Sequence, residues 1–388
     1  MSGPARRQAA AGDWLREWVQ PHLLEIPGYV PIEPPEVLAK RIGVPVETIV
    51  KLDGNENPYG PSPRALEALA KERGYNIYPD PDQRDLRAAL ADYVGLGPEN
   101  IVAGAGSDEL IDLVTRMFVA PGEAVLNFPP TFGMYAFAAE VQGARVINLP
   151  RRPDFSLRLD GFAAQARKAR LIFVVSPNNP SGTPLSSEEL AVLLEGGRPV
   201  VVDEAYAEFA GESFVDLVPR YPNLMVLRTL SKWAGLAGLR VGYMVASPEI
   251  IAVAMKAKQP YSVSVAAETA ALASLQDRDW LLANVRRIVD ERERLAGRLA
   301  ELPWLEPVPT RANFILCRVA GIEAGLVKEK LAAQGIMIRY FDTPLLRNYI
   351  RISVGKPEHT DRLIEALREI GRAEGPGGQA PSERGSTP

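Results

Sequence analysis

The sequence predicts an α/β protein with a large three-layer α/β/α domain, built on a mostly parallel sheet, and a smaller α+β domain. Three observations predict this architecture. Between about residues 60 and 260, all-apolar runs such as Leu171–Val175 alternate with helical patterns. From about residue 264 a long helical stretch replaces this alternation, and strand-like runs then return. At 388 residues the chain is also longer than one typical domain.

Local signals define the elements of the predicted large domain. Ser107 is suited to begin a helix after the loop at 104–106. The run 186–189 (Ser-Ser-Glu-Glu) fits a capping box that begins another helix. Apolar runs predict further strands at 199–202, 224–227 and 241–245. Strands that are apolar throughout and separated by helices are typical of a parallel sheet covered on both faces.

The second half predicts the smaller domain. We expect helices over 264–302, strands at 313–319, 336–341 and 349–354, and helices near 323–334 and 358–371, with Gly335 and Gly371 as C-caps. The expected division is an N-terminal arm at 1–50 that packs with the small domain, a large domain at 51–265, a small domain at 266–373 and a disordered tail at 374–388. The tail is rich in Gly, Pro and Ser and has no apolar periodicity.

Composition excludes several classes of protein. The formal charge of −4 does not indicate a nucleic-acid or anionic-membrane partner. A single cysteine excludes an internal disulfide, and two histidines with one cysteine strongly disfavour a zinc site of His and Cys ligands. The first twenty residues carry charges instead of an apolar segment, and no run reaches the roughly 18 apolar residues of a membrane span. We therefore expect a cytoplasmic protein with no metal site.

The central candidate for chemistry is Lys232, in the run Arg-Thr-Leu-Ser-Lys after an apolar strand. Desolvation among small and hydroxyl side chains lowers the pKa of a lysine and frees its amine to form an imine. Ser231 and Thr229 offer hydroxyls, and Arg240 offers a guanidinium, so the three suit a phosphate. Taken alone, such a lysine is more often a solvated surface charge.

Two further motifs follow predicted strands. Asp203 comes directly after an apolar strand, and Tyr206 follows three residues later. A carboxylate there suits the protonated nitrogen of a pyridine ring, and the tyrosine suits its phenolic oxygen. Asn179, between two prolines, offers an amide at the end of another strand. The simpler interpretations are a helix-start aspartate with a core tyrosine, and an ordinary turn.

The loop before Ser107 suits an anion. Gly106, Ser107 and Asp108 begin a helix, where free N–H groups bind phosphate. Glu109 stands where a dinucleotide motif would have its third glycine, which disfavours such a site. Phe132 offers a ring for stacking, although an aromatic residue there is as often part of the core. Together the strand-end motifs provide what one cofactor with a phosphate, a pyridine ring and an imine carbon requires.

These motifs resemble those of the fold-type I aminotransferases of class I/II, which depend on pyridoxal 5′-phosphate (PLP), and most of all those of histidinol-phosphate aminotransferases. The resemblance covers about residues 52–355. It rests on motifs in the family's order: Asn55-Glu-Asn-Pro, Tyr78-Pro, Gly106-Ser-Asp-Glu, Pro177-Asn-Asn-Pro-Ser-Gly, Asp203-Glu-Ala-Tyr, Arg228-Thr-Leu-Ser-Lys, Gly238-Leu-Arg and Tyr349-Ile-Arg-Ile-Ser.

The resemblance implies a role for each matching residue. Lys232 would hold PLP as a Schiff base and then move the Cα proton of the substrate. The other cofactor contacts that it implies are Asp203 at the ring nitrogen, Tyr206 and Asn179 at the phenolic oxygen, Phe132 on the ring face, and Ser231, Thr229, Arg240, Gly106, Ser107 and Asp108 around the phosphate. Tyr78 would reach that phosphate from a partner subunit, which implies a homodimer.

The resemblance also implies the substrate contacts. Arg351 would clamp an α-carboxylate, Arg339 would receive the phosphate of histidinol phosphate, and Asn55 and Tyr59 would complete the substrate site. Histidinol phosphate carries a hydroxymethyl group instead of an α-carboxylate. Arg351 would therefore serve the half-reaction of glutamate and 2-oxoglutarate, while Arg339 binds a phosphate and a second carboxylate in turn.

The leading hypothesis is transfer of an amino group from histidinol phosphate to 2-oxoglutarate, in histidine biosynthesis. An aromatic amino-acid aminotransferase and a lyase similar to threonine-phosphate decarboxylase remain open, since they share many of these motifs. A non-enzymatic PLP-binding domain joined to a DNA-binding module is a remote alternative. Residues 1–50 are too short and too rich in proline for such a module.

Overall fold

We describe the protein from a computed structural model, which describes residues 11–29 and 31–374. Nearly all of the predicted C-terminal tail lies outside the described residues, as do the first ten residues. Within the described ranges no helix is both long enough and apolar enough to cross a membrane.

The described residues contain twelve strands. They are β1 (Val50–Leu52), β2 (Ile101–Gly104), β3 (Ala124–Asn127), β4 (Arg145–Asn148), β5 (Leu171–Val175), β6 (Val200–Asp203), β7 (Leu224–Thr229), β8 (Gly242–Val245), β9 (Leu305–Pro307), β10 (Phe314–Val319), β11 (Ile336–Tyr340) and β12 (Tyr349–Ser353).

The same ranges contain fourteen α-helices. They are α1 (Ala11–Trp18), α2 (Pro35–Ile42), α3 (Pro63–Lys71), α4 (Arg84–Val94), α5 (Ser107–Phe118), α6 (Met134–Val141), α7 (Phe162–Ala166), α8 (Ser187–Glu195), α9 (Ala207–Ala210), α10 (Pro248–Ala257), α11 (Val265–Gln276), α12 (Arg278–Ala300), α13 (Ala324–Ala333) and α14 (Pro357–Glu374). The predicted capping box is present, because Ser186 and Glu189 bond each other's backbone at the start of α8.

The large domain is built on a seven-stranded sheet in the order β2-β8-β7-β6-β5-β3-β4. Strands β4, β3, β5, β6 and β7 run parallel, and β8 is antiparallel to both of its neighbours. The central strands are buried on both faces, because one apolar cluster lies on each side of the sheet. This confirms the predicted three-layer, mostly parallel domain. It also brings the carboxyl ends of β2, β5, β6 and β7 to one edge, where ligands bind in such sheets.

The small domain holds a five-stranded sheet in the order β1-β11-β12-β10-β9. Strand β1 pairs in parallel with β11, so the segment after the arm completes this sheet. Strand β1 therefore crosses the predicted boundary at residue 51, and the division into domains stays a prediction. Strands β11 and β12 are antiparallel, and Arg339 lies directly opposite Arg351.

The helix near the C-terminus differs from the prediction. Gly335 has a left-handed φ of +75° just beyond α13, as expected of a C-cap. Gly371 instead lies inside α14, which continues to Glu374. A Cβ at Gly371 would be 2.3 Å from Trp304 Nε1. The prediction of a C-cap at Gly371 was therefore wrong: this glycine allows Trp304 to pack closely against the helix.

Candidate active site

Lys232 lies just beyond the end of β7, among the strand ends of the large sheet. Its Nζ donates a hydrogen bond to the carbonyl of Gly54 at 3.0 Å. Burial, followed by the nearby charge of Arg351, lowers the pKa of Lys232 to about 8. A substantial fraction of this amine is thus neutral near pH 7–8, and a neutral amine is the form that attacks a carbonyl carbon.

Asp203, at the end of β6, is a buried carboxylate with two hydrogen-bond donors. Its Oδ2 accepts from the hydroxyl of Tyr135 at 2.7 Å, and its Oδ1 accepts from the amide of Ala205 at 3.0 Å. Burial raises the pKa of Asp203 to about 6, although both hydrogen bonds act in the opposite direction. Such a carboxylate gains most from a cationic partner, for example a protonated ring nitrogen.

Sequence reasoning missed Tyr135. Tyr135 lies near the start of a helical run that is rich in alanine and apolar residues, so the sequence suggests a core position. Nothing in this pattern indicates that its hydroxyl is functional. In the fold its ring is fully buried and stacks on Phe173 with centroids 4.9 Å apart. The ring position therefore aims the hydroxyl at Asp203.

Replacing Tyr135 with phenylalanine is expected to weaken PLP binding by about tenfold, because the substitution removes one hydrogen bond to a charged group. The pKa of Asp203 rises further, since the bond from Tyr135 lowers it. The acid limb of the pH profile of kcat/KM should accordingly move to higher pH. A titration of the apoprotein with PLP and the pH profile measure both effects. An unchanged affinity and acid limb would contradict this role for Tyr135.

Tyr206 and Asn55 are held together in the buried site. Asn55 Nδ2 donates to the hydroxyl of Tyr206 at 3.0 Å, and Asn55 Oδ1 accepts from the hydroxyl of Ser353 at 2.9 Å. Asn55 adopts a left-handed φ of +54°, a region that asparagine tolerates better than most residues. Asn313 also bonds the carbonyl of Asn55 at 3.0 Å. The segment before α3 thus joins Tyr206 to the small domain.

Arg351, on β12, is buried and directed at the same strand ends. It donates to Asn179 Oδ1 at 2.7 Å and to the carbonyl of Asp53 at 2.5 Å. Its Nε is buried without a hydrogen-bond partner among the described residues. Burial lowers the pKa of Arg351 to about 10. An anion bound at this guanidinium would accept a hydrogen bond from Nε and would supply a negative charge to balance the buried cation.

Arg339 lies beside Arg351 on the neighbouring strand. Both guanidinium groups approach the ring of Phe341, at 5.4 and 5.6 Å from its centroid. A cavity of about 840 Å³ opens at this point, between the arm, α13 and β11. Asp53, Phe341 and Arg339 all line it, so the cavity adjoins the contacts of Arg351. Tyr29, in the arm, is close enough to act electrostatically on Arg351 and Tyr206, and sequence reasoning missed it.

The loop before α5 has the geometry of an anion site. Gly106 has a φ of +83° and no side chain to cap the helix, so the first N–H groups of α5 can bind an external acceptor. The guanidinium of Arg240 closes over this glycine, because a Cβ there would be 2.3 Å from Arg240 Nη2. Asp108 pairs with Arg240 at 2.8 Å, and Glu109 accepts from the amide of Ala105. Asp108 thus has a charged partner in Arg240, and Glu109 has a hydrogen-bond donor in the loop.

Ser231 and Thr229 lie between this loop and Lys232. Both are buried, and their hydroxyl oxygens are 3.0 Å apart. The Thr229 oxygen is also within 3.0 Å of the carbonyl of Val241 and accepts from the amide of Ser231 at 3.1 Å. The hydroxyl of Thr229 therefore has its hydrogen-bond partners within the protein, and these contacts suit a role in holding Ser231 in place. Phe132 packs edge-on against Tyr135, with centroids 5.7 Å apart.

Two predicted site residues make their contacts elsewhere. Tyr59 lies beneath Arg287, whose Cζ is 4.0 Å from the ring centroid, and Lys356 approaches the same ring. Its role in substrate binding stays a prediction. Tyr78 is 78% exposed and stacks on Tyr261, with centroids 4.6 Å apart. An exposed position is what a residue that serves a partner subunit requires.

PLP fits this arrangement. The amine of Lys232, the buried carboxylate of Asp203 and the open helix start at Ser107 lie at one edge of the sheet. The amine suits the aldehyde of the cofactor, the carboxylate suits its ring nitrogen, and the helix start suits its phosphate. The close approach of Arg240 to Gly106 adds a positive charge beside the expected phosphate. The fold and the site together define a PLP-dependent enzyme with an aspartate aminotransferase-like fold.

The family model of the class I and II aminotransferases matches residues 47–367. Histidinol-phosphate aminotransferase from Roseiflexus castenholzii is 51% identical over 362 residues, which cover 91% of this chain and 98% of the relative. The chloroplastic enzyme of that name from Nicotiana tabacum is 50% identical, over 94% of this chain and 89% of its own. The crystal structure of histidinol-phosphate aminotransferase from Sinorhizobium meliloti with PLP has a TM-score of 0.83 and 29% identity, and covers 92% of this chain and 98% of that one.

The chain belongs to the class I and II aminotransferases, and its cofactor is PLP. The resemblance expected from the motifs is confirmed, including its similarity to histidinol-phosphate aminotransferases.

Proposed function

We propose that the protein transfers the amino group of histidinol phosphate to 2-oxoglutarate, giving imidazole-acetol phosphate and glutamate in histidine biosynthesis. The observation that carries this proposal is the pair of arginines at the site, Arg339 directly opposite Arg351. Two adjacent guanidinium groups repel each other and are stabilised by a dianion or by two anionic groups. The names and the identities of the relatives support the same substrate.

The residues of this chain divide the chemistry among them. PLP, when bound, supplies an electron sink for the carbanion that forms at the substrate Cα. Lys232 Nζ, with a pKa of about 8, would move the proton at the substrate Cα. Asp203 would stabilise a positive charge at the ring nitrogen, and Tyr206 and Asn179 Nδ2 would donate to the phenolic oxygen. The loop before α5 and Arg240 would hold the phosphate.

The two arginines would serve both half-reactions. In the first, Arg339 binds the phosphate of histidinol phosphate at the margin of the cavity of about 840 Å³, and the carbon that carries the amino group extends from there toward Lys232. In the second, Arg351 binds the α-carboxylate of 2-oxoglutarate and Arg339 binds its other carboxylate. Arginine suits this exchange, because its planar fork matches phosphate and carboxylate alike.

Steady-state kinetics with 2-oxoglutarate tests the proposed function. We expect kcat/KM to be highest for histidinol phosphate and lower for phenylalanine and tyrosine. A higher value for the aromatic amino acids would favour the aromatic aminotransferase. Release of CO₂ from threonine phosphate, without consumption of a keto acid, would favour the decarboxylase and contradict the proposal.

Replacing Arg339 with glutamine is expected to lower kcat/KM for histidinol phosphate by about 10- to 100-fold, the size of a lost charge-assisted hydrogen bond. Most of the loss should appear in KM. The preference for histidinol phosphate over unphosphorylated histidinol should also decrease. Arg347→Gln is the matched control, because Arg347 is an exposed arginine in the nearby loop 341–348. An undiminished preference in the Arg339 variant would exclude this residue as the phosphate partner.

The proposed assembly is a homodimer in which Tyr78 reaches the phosphate site of the partner subunit. An exposed apolar patch supports this: Tyr75, Ile77, Tyr78 and Tyr261 are each about half exposed or more. A monomer at micromolar concentration in analytical ultracentrifugation would contradict it. A cytoplasmic location stays a prediction from the sequence.

A further inference from the structure

Arg228 lies in a buried cluster of charges that the mechanism above does not use. Its Nη1 contacts Glu204 Oε2 at 3.1 Å, and its Nη2 contacts Glu208 Oε1 at 2.7 Å. The three side chains are at most 8% exposed. Burial of one cation with two carboxylates is costly unless the geometry is tightly satisfied. We call these three residues the Arg228 clamp.

Neutral donors complete the clamp. The hydroxyl of Ser213 and the amide of Phe214 donate to Glu204, each at 2.6 Å. The hydroxyl of Tyr93 donates to Glu208 at 3.1 Å. Each carboxylate therefore has a charged partner and at least one neutral donor. Arg228 Nε is buried without a hydrogen-bond partner among the described residues, so the clamp pairs its two carboxylates more completely than its guanidinium. The paired carboxylates restrain the segment that carries them.

The clamp holds the segment 203–208 at two points. Glu204 immediately follows Asp203, and Glu208 is two residues beyond Tyr206. The amide of Ala205, on the other side of Glu204, donates to Asp203 Oδ1 at 3.0 Å. Fixing Glu204 therefore fixes the turn that orients the carboxylate of Asp203. Fixing Glu208 likewise restrains the short helix α9, which begins just after Tyr206.

The same arginine also lies on the strand that leads to Lys232. Arg228 and Thr229 are consecutive residues of β7, so their side chains point to opposite faces of the sheet. Thr229 faces Ser231 on the side of the loop before α5, whereas Arg228 faces Tyr93 and the two glutamates. The hydroxyl of Ser107 is 3.4 Å from the carbonyl of Arg228. The side chain of Arg228 thus joins the end of β7 to the segment after β6, and its backbone carbonyl lies near Ser107 at the start of α5.

We propose that Arg228, Glu204 and Glu208 position Asp203 and Tyr206 relative to Lys232, from the face of the sheet opposite to the reacting groups, and thereby set the affinity for the cofactor. They act through the backbone, so they are positioning residues and not catalytic ones. This inference rests on PLP as the cofactor and not on the identity of the substrate. A different substrate would therefore contradict the proposed function without affecting the inference.

The test compares two Glu→Gln variants of the full-length enzyme. Glu208→Gln removes one charge of the clamp with almost no change in size. Glu291→Gln is the matched control, because Glu291 is also buried and pairs with an arginine, Arg294, but lies on α12. The measurements are the dissociation constant of PLP, the visible circular dichroism of the bound cofactor, kcat, KM and the melting temperature.

Glu208→Gln is expected to weaken PLP binding by about 10- to 100-fold and to change the circular dichroism of the cofactor. The expected fall is larger in kcat than in KM, since a small misplacement of reacting groups costs up to about 10²-fold in rate. Glu291→Gln should leave the PLP affinity, the circular dichroism of the cofactor, kcat and KM unchanged, whatever its effect on the melting temperature. Arg228→Lys keeps the positive charge but has a single nitrogen in place of the two that bind Glu204 and Glu208. We expect it to weaken PLP binding to an intermediate degree.

The result that would overturn the proposal is a Glu208→Gln variant with the PLP affinity and circular dichroism of the parent, whatever its melting temperature. If this variant does not fold, Tyr93→Phe decides, because it removes only the hydroxyl that donates to Glu208. A PLP affinity weakened by about two- to fivefold, the size of one neutral hydrogen bond, would support the clamp. An unchanged affinity in Tyr93→Phe would overturn it.

Discussion

Lys232→Ala is expected to lower transamination by about 10⁴-fold or more, because the substitution removes the amine that we propose both holds PLP and moves the Cα proton. The visible absorbance of the lysine-bound cofactor should disappear with it. The amine is suited to both tasks, since burial beside Arg351 lowers the pKa of Lys232 to about 8. Kinetics and an absorbance spectrum of the variant measure the two effects.

The matched control for this prediction is Lys258→Ala. Lys258 is also buried and its pKa is also lowered by burial, but it bonds the carbonyls of Gln259 and Pro260 beyond α10. We expect the control to keep the absorbance band and to keep kcat within a few-fold. Turnover at the rate of the parent in Lys232→Ala would contradict the account of the whole site.

Asp203→Asn is expected to lower kcat by about 10²- to 10³-fold, the usual cost of removing one preorganised electrostatic partner. The oxygen of the asparagine can still accept from the amide of Ala205, and its NH2 group can donate to the hydroxyl oxygen of Tyr135, so the fold of the strand end should persist. What is lost is the negative charge that we propose keeps the ring nitrogen of PLP protonated. The effect should therefore fall on kcat and on PLP affinity, and much less on the melting temperature.

A cofactor analogue separates charge from packing in this variant. PLP methylated at the ring nitrogen carries a fixed positive charge and does not need a carboxylate to stay cationic. Asp203→Asn reconstituted with this analogue should regain part of its activity, while the parent enzyme should gain nothing. An equal response of the two proteins would show that the charge of Asp203 is not what matters.

The mostly parallel sheet and the edge that carries the site were predictable from the sequence, whereas the order of the strands was not. Runs such as Leu171–Val175 are apolar throughout, and each ends in polar residues, so a parallel sheet places those residues together. The motif around Lys232 then indicated the cofactor. These features are local in sequence, which is why a single chain reveals them.

The partners that hold the site in place were not predictable in this way. Tyr135 reads as a core aromatic, and only the packing of its ring against Phe173 directs the hydroxyl to Asp203. Asn55 meets Tyr206 across 151 positions of sequence, and no local pattern encodes this contact. Gly371 resembled a C-cap because a close approach by a distant Trp304 leaves no local signal.

The central claim, that Lys232 is the anchor of the cofactor, is tested most directly by borohydride reduction of the PLP-loaded enzyme. Reduction fixes the cofactor to its lysine, and digestion followed by mass spectrometry locates the modified residue. The account predicts one modified site, Lys232, with stoichiometry near one per chain. Modification of another buried lysine, such as Lys258, with Lys232 left unmodified, would contradict it.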